Sequence, residues 1–268
     1  MDKATRQAQI LRDLATVVRQ DVPEFAPASE EDQAAITVLL TTSPMPSHPD
    51  PWVVGNVHNS IRRHLPGSRI LVLADGVVGS EPETYTEFKK NAKELGWELV
   101  EFSGRHHQTL MMRDVLLSGM ITTPLVVAGD GDWGFHQKYM NWRGIVATLL
   151  DTASRFKMIE IRQDNIGTWE LEWDVFGDLR LEHEIHILPT TLYQAPTHIA
   201  RVDWYQKMIA PVKVADFLER DELTNVLRDT GGINQMGCYI PPGPIGRLYH
   251  LNGRDVRWPS QLGGIGDL

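Results

Sequence analysis

At 268 residues and 42% hydrophobic content, the chain has enough apolar surface to bury a core of its own. Its formal charge of −9, from 35 acidic against 26 basic side chains, argues against broad attraction to nucleic acid or to an anionic membrane. Cys238 is the one cysteine, which excludes an intrachain disulfide and a thiolate zinc site and points to a reducing compartment, the cytoplasm.

The first twenty residues, MDKATRQAQILRDLATVVRQ, interrupt every apolar run with charge, so they read as neither signal peptide nor membrane span. Ile10, Leu11, Leu14 and Val17 instead fall at helical spacing, and DVPEFAPASEEDQ after them reads as a linker. Residues 35–42 (AITVLLTT) form the first strand pattern. The loop SPMPSHPDP follows and closes on Asp50 and Pro51 as N-cap and first helical residue, with Val53, Val57 and Ile61 on one helix face. RILVLAD at 69–75 is the second strand, Tyr85, Phe88, Ala92 and Leu95 mark the next helix face, and Gly96 stands where a helix-ending glycine belongs. Residues 97–102 are a third strand, 107–120 a helix and 123–128 a fourth strand. Strands alternating with helices at this pitch predict a mostly parallel α/β sheet, in which ligands gather beyond the carboxyl ends of the strands.

A helix is expected near 142–156 and a strand at 158–162. Then Trp169, Leu171, Trp173 and Val175, followed by Leu179, Leu181, Ile185 and Ile187, alternate strictly, with Phe176, Gly177 and Asp178 between the runs as the turn of an antiparallel hairpin. Two further helices are expected, at 196–209 and 214–228, before a Gly/Pro-rich tail.

The chemistry concentrates at the end of the fourth strand, where VVAGDGDWGF sets Asp130 and Asp132 one residue apart. Two such carboxylates are either a solvated turn or hard oxygen ligands for Mg²⁺ or Mn²⁺ shared with the phosphates of a substrate. Asp75 ends the second strand, either as a turn residue or as an acceptor for a ribose hydroxyl or base edge. Thr41 and Thr42 end the first strand beside a loop able to cover a nucleotide, or simply reflect β propensity. Arg113, on an otherwise apolar helix, is a phosphate clamp or a side chain paired near Asp114. His250 is a structural strand histidine or a metal ligand. The tryptophans after the fourth strand are core residues or faces for a sugar ring, and Trp133, which adjoins Asp132, is the one expected near a sugar.

In order along residues 35–255, AITVLLTTSPMPSHP, LVLADG, MMRD ahead of TTPLVVAGDGD, APTHIARVDWY and PIGRLYHLNGRD resemble GT-A glycosyltransferases, especially the family 2-like enzymes of bacteria and their phages. The resemblance implies a Rossmann-like sheet flanked by helices, with an antiparallel hairpin and a helical C-terminal portion. Three regions are expected: the N-terminal helix and linker (1–33), and, from the resemblance, a nucleotide-sugar-binding core (34–190) and acceptor-side helices with a C-terminal metal-site segment (191–268). Asp130, Asp132 and His250 would bind Mn²⁺ or Mg²⁺, Asp75 and Thr41 the nucleoside, and Arg113 the phosphates. Relatives often carry Glu or Asp where this chain has Gly131, which leaves open which carboxylate touches the metal. In inverting members a carboxylate near the start of a later helix deprotonates the acceptor hydroxyl; here Glu219 is favoured over Asp221 and Glu222 in DFLERDELTNV, a run that also suits a solvated helix face.

The expected function is therefore transfer of a sugar from a nucleoside diphosphate to a hydroxyl on a protein, a glycan or a modified phage DNA base, with no membrane partner. A sugar-nucleotide nucleotidyltransferase is the alternative enzyme, but SPMPSHP after the first strand is not its glycine-rich phosphate loop. A catalytically silent carbohydrate-binding protein of the same fold is the alternative from another class.

Overall fold

The computed structural model describes residues 2–21, 25–44, 51–131, 133–135, 140–161, 177–190, 197–213, 221–242 and 248–250, with the backbone alone at 51, 52, 221 and 248–250. Its strands are β1 (Ile36–Thr42), β2 (Arg69–Ala74), β3 (Glu98–Glu101), β4 (Leu125–Asp130), β5 (Trp133–Phe135) and β6 (Met158–Glu160). They continue as β7 (Arg180–Glu182), β8 (Ile185–Pro189), β9 (His198–Arg201), β10 (Met236–Ile240) and β11 (Leu248–His250). The helices used below are α1 (Lys3–Val18), α2 (Glu30–Ala34), α3 (Pro51–His64), α4 (Glu83–Glu94), α5 (His107–Leu117) and α6 (Trp142–Leu150).

A 9-stranded sheet runs in the order β3-β2-β1-β4-β9-β6-β10-β8-β7. Its first four members are mutually parallel, β9 is antiparallel to both β4 and β6, and β10 is parallel to β6. The mixed α/β class with a large, mostly parallel, helix-flanked sheet is the class expected.

Alternation along the strands divides the core into two layers. Val38, Leu40, Val72, Val127, Ile159, Ile187 and Ile199 point toward α3, α4 and α6. Leu39, Leu71, Leu73, Val126, Ala128, Met158 and Ala200 point toward α5 and the helices Val202–Ile209 and Asp221–Asp229. Both faces are covered, so the strands read as continuous apolar runs.

Four local expectations change. The segment 196–209 is not one helix, because His198–Arg201 form β9 and only Val202–Ile209 is helical. Ile199 enters one layer while Ala200 enters the other, and burial on both faces between β4 and β6 outweighs the helical spacing. The run from Leu179 to Ile187, expected as one strand, is itself a hairpin that turns at His183 and Glu184, so Leu181 and Ile185 lie on separate strands. Both turn residues have positive φ, 44° and 65°, as a two-residue turn matched to strand twist requires. The partner run expected for it, 169–175, and the expected turn residue Phe176 lie outside the described residues. The helix after Asn141 stops at Leu150, where Asp151 turns to extended backbone and accepts the amide of Ala153. The linker holds a helix of its own: Ser29 and Asp32 form a reciprocal capping box at the start of α2.

α1 packs on the body of the protein. Ile10, Leu14 and Val17 cover Leu188, Cys238 and Ile240 on β8 and β10. Among the described residues, no helix is long and apolar enough to cross a membrane.

If α1 is the cover over this patch, deleting residues 2–20 makes Cys238, fully buried in the intact chain, accessible to a thiol reagent. Labelling by a disulfide dye should then accelerate at least about tenfold without denaturant; equal rates in the two proteins would show that α1 does not protect it.

Candidate functional site

Thr41, Asp75 and Asp130 each extend an alternation already described. Leu39 is followed two residues on by Thr41, Leu73 by Asp75 and Ala128 by Asp130, so all three sit on the α5 side at the carboxyl edge of the neighbouring strands β2, β1 and β4. Thr41 stands beside Asp130 in the β1–β4 register. On this side β2, β1 and β4 are apolar through Leu71, Leu73, Leu39, Val126 and Ala128 and polar where they end.

Asp75 is 2% exposed and its carboxylate accepts four hydrogen bonds. The amides of Gly76 (3.0 Å) and His106 (2.7 Å) donate to Oδ1, and the amide of His107 and the hydroxyl of Ser43, both at 3.3 Å, donate to Oδ2. A carboxylate has about four acceptor positions, so all of Asp75's capacity is met within the fold. Two of those donors are amides at the start of α5, where the helix supplies no partner of its own and its dipole favours a negative charge. Tyr85 donates to the carbonyl of Asp75 at 3.0 Å. Burial, helped by the charges of Asp75, Glu81 and Glu101, pushes its phenol well above the usual tyrosine range, so it stays a donor. The loops after β2 and β3 also cross closely here: the amide of Gly76 donates to the carbonyl of Gly104, and a Cβ on Gly76 would lie 2.3 Å from the nitrogen of Gly104.

Asp130 is held by two other elements. The hydroxyl of Thr41 donates to its Oδ1 at 2.6 Å, and the side-chain amide of Gln108, in the first turn of α5, donates to the same oxygen at 2.5 Å and to Thr41 Oγ1 at 3.1 Å. Beyond it, the Gly131 amide donates to the carbonyl of Thr41. A Cβ on Gly131 would meet nothing nearer than 3.5 Å, so packing leaves room there for at least a methyl group.

The remaining candidates are dispersed. Trp133 opens β5, half-buried against the core, and β5 pairs with β11 in a separate 2-stranded sheet whose register sets the backbone of His250 opposite Trp133. The C-terminal strand thus runs alongside the residue that follows Asp132. Asp132 itself and Glu219 lie outside the described residues. Asp221 is the first residue of the helix Asp221–Asp229, and the carboxylate of Glu222 accepts the amide of Lys213. Thr42 accepts the amide of Asp75 through its carbonyl. Arg113 lies two turns into α5, with its guanidinium donating to the carbonyl of Val212 (2.7 Å) and to Asp114. Among the described residues, no group of three or more His, Cys, Asp or Glu stands close enough to hold a metal ion.

Gln108, Ser43 and the amides of His106 and His107 are site residues that sequence reasoning missed. A polar residue in the first turn of the helix after β3 was the available signal for Gln108, but nothing in the spacing of GRHHQTLMM links it to a carboxylate on β4.

No family model and no curated protein matches the chain. Among solved structures, a mycobacterial protein superposes with a TM-score of 0.51 at 16% identity, over 91% of this chain and 76% of its own. The chain is also similar to the Pyrobaculum calidifontis mannosyltransferase PcManGT, solved with GDP-Man and Mn²⁺ (TM-score 0.48, 8% identity, 89% of this chain). A third likeness is to Mycobacterium tuberculosis glucosyl-3-phosphoglycerate synthase, solved with Mn²⁺ and UDP (TM-score 0.48, 14% identity, 91% of this chain and 84% of its own). The chain spans 65% of the mannosyltransferase's length. At these identities the likeness is one of fold alone, that of a mixed α/β protein with a large, helix-flanked, mostly parallel sheet.

The two glycines at this edge should respond oppositely to a methyl group. Gly76→Ala forces backbone against backbone and should cost about 1–3 kcal/mol, whereas Gly131→Ala should change stability by no more than about 0.5 kcal/mol. Thermal melts of the two variants check this, and equal midpoints would refute the close approach of the two loops.

Proposed function

We propose that this chain is a metal-dependent glycosyltransferase that moves a sugar from a nucleoside diphosphate to a hydroxyl acceptor with inversion at the transferred carbon. The observation that carries the reading is the line of Asp75, Thr41 and Asp130 along the carboxyl edge of three adjacent parallel strands, the place where α/β sheets bind nucleotides. The polar first turn of α5 lies directly over it. The register that lays β11 beside β5 supports the inclusion of His250 in the same site.

In this reading the nucleoside rests on the loops after β1, β2 and β3. Asp75 serves it by holding those loops together, since its acceptor positions are already filled. Thr41 and Thr42 form the floor of that region. Asp130, Asp132 and His250 would hold Mn²⁺ or Mg²⁺: the carboxylate oxygens suit either ion, and the imidazole favours Mn²⁺. When bound, such a cation supplies positive charge against the diphosphate leaving group. Trp133 is set beside the sugar. Arg113, three of whose five N–H donors go to Val212 and Asp114, would turn the remaining two to the phosphates.

Glu219 takes the proton of the acceptor hydroxyl as its oxygen bonds to the sugar's anomeric carbon and the bond from that carbon to the diphosphate oxygen breaks. Asp221, at the start of the following helix, is the second candidate for that proton. The chain's own residues do not favour a nucleotidyltransferase: SPMPSHP after β1 offers no phosphate-cradling glycines.

The direct test is to incubate the protein with UDP-, GDP- and dTDP-sugars and Mn²⁺ and record which donor raises the melting temperature. For that donor, EDTA should abolish turnover and Mn²⁺ or Mg²⁺ should restore it; full activity after exhaustive chelation would remove the metal from the reading. Asp132→Asn should lose most turnover with the fold intact. Glu219→Gln should lower acceptor-dependent kcat by roughly 10² to 10⁴ with near-normal donor affinity, and Asp221→Asn should be mild. Normal transfer by Glu219→Gln beside a dead Asp221→Asn would move the base to Asp221.

A further inference from the structure

We infer that Gln108 is a positioning residue of this site, fixing the direction of the Asp130 carboxylate without neutralising it. The inference rests on the reading of Asp130 as a metal-site carboxylate. Gln108 is 7% exposed, and burying a primary amide is costly unless its donors are met. Both are met at this edge, one by Asp130 Oδ1 and one by Thr41 Oγ1, while the Thr41 hydroxyl spends its own hydrogen on the same Oδ1. An ionised carboxylate only accepts, so the face of the amide turned toward it must be the NH₂ group.

The three bonds form a closed ring linking α5, β1 and β4. Packing alone does not call for glutamine here, because the same helix fills its inner face with Met111, Met112, Val115 and Leu116. Satisfying one oxygen of Asp130 does not call for it either, since Thr41 already donates to it. A second donor, approaching from a different element, fixes Oδ1 in space and with it the plane of the carboxylate. The chemistry of the donor is equally specific. Arginine or lysine at this position would also reach Asp130, but would pair with its charge and compete with a bound cation. A neutral amide orients the group and leaves the negative charge for a divalent ion.

The test uses the full chain and Mn²⁺ as the probe, with binding measured by calorimetry and the fold by thermal melt. Gln108→Leu should weaken Mn²⁺ binding by about 10 to 100-fold, as the loss of a residue orienting a metal ligand typically does, while keeping a cooperative melt. Because Gln108 acts through Asp130, the double variant Asp130→Asn/Gln108→Leu should bind Mn²⁺ no more weakly than Asp130→Asn alone. Gln108→Arg should restore a donor and a melting temperature near the parent's, yet still lose Mn²⁺. Should Gln108→Leu fail to fold, Gln108→Met, closer in length, carries the same comparison. Parent-like Mn²⁺ affinity in Gln108→Leu beside a weakened Asp130→Asn, or additive losses in the double variant, would overturn the inference and leave the proposed function standing. Parent protein that binds no Mn²⁺, or Asp130→Asn that binds it normally, would remove the metal reading and this inference with it.

Discussion

The buried carboxylate of Asp75 is the constraint on which the site depends. It collects the amides of Gly76, His106 and His107 and the hydroxyl of Ser43, so one side chain joins the end of β2 to the loop after β1 and to the start of α5. A charge at 2% exposure is tolerable only because each of its acceptor positions is filled and two of its donors belong to a helix start that needs an acceptor. The crossing of Gly76 over Gly104 draws the loop after β3 to the same point. Once α5 begins there, its first turn stands over β1 and β4, and Gln108 comes within reach of Thr41 and Asp130.

The same face carries polarity deeper into the sheet than the site itself. His198 lies across from Ala128 on one side and from Glu160 on the other, both His198 and Glu160 are buried, and the His198 ring meets the hydroxyl of Tyr205 at 3.1 Å. The layer beneath Asp130 is therefore apolar for most of its depth and polar near the strand ends. Buried polar groups of this kind persist when they are hydrogen-bonded, and they give the packing a single solution where an all-apolar layer would allow several.

Much of the fold was legible because parallel strands buried on both faces write long apolar runs, and amphipathic helices write a period near 3.6. The four parallel strands, α3, α4 and α5, and the position of Thr41, Asp75 and Asp130 at strand ends all follow from that local grammar. β9 escaped it because His198–Arg201 runs straight into Val202–Ile209, so a strand and a helix share one uninterrupted pattern with no glycine or proline between them. The His183–Glu184 turn escaped it because neither residue is the Gly, Asn or Asp that signals a two-residue hairpin turn; the flanking pairs of Arg180 with Ile187 and Glu182 with Ile185 impose it. α2 was readable in the capping signature of Ser29 and Asp32, and a linker reading passed over it.

The sequence by itself determined the α/β class, the strand-end carboxylates and their order along the chain, because side-chain alternation and helical period act over a few residues and need no partner. Only the tertiary structure decided which of those residues meet. Asp75 takes its donors from positions up to 32 residues away, Gln108 reaches Thr41 across 67, and β11 finds β5 from the far end of the chain. Such contacts are chosen by how the sheet orders its strands and where each helix packs, and the cost of closing long loops is met by the whole core rather than by any local signal. That is why Asp130 was visible from the start and the amide that aims it was not.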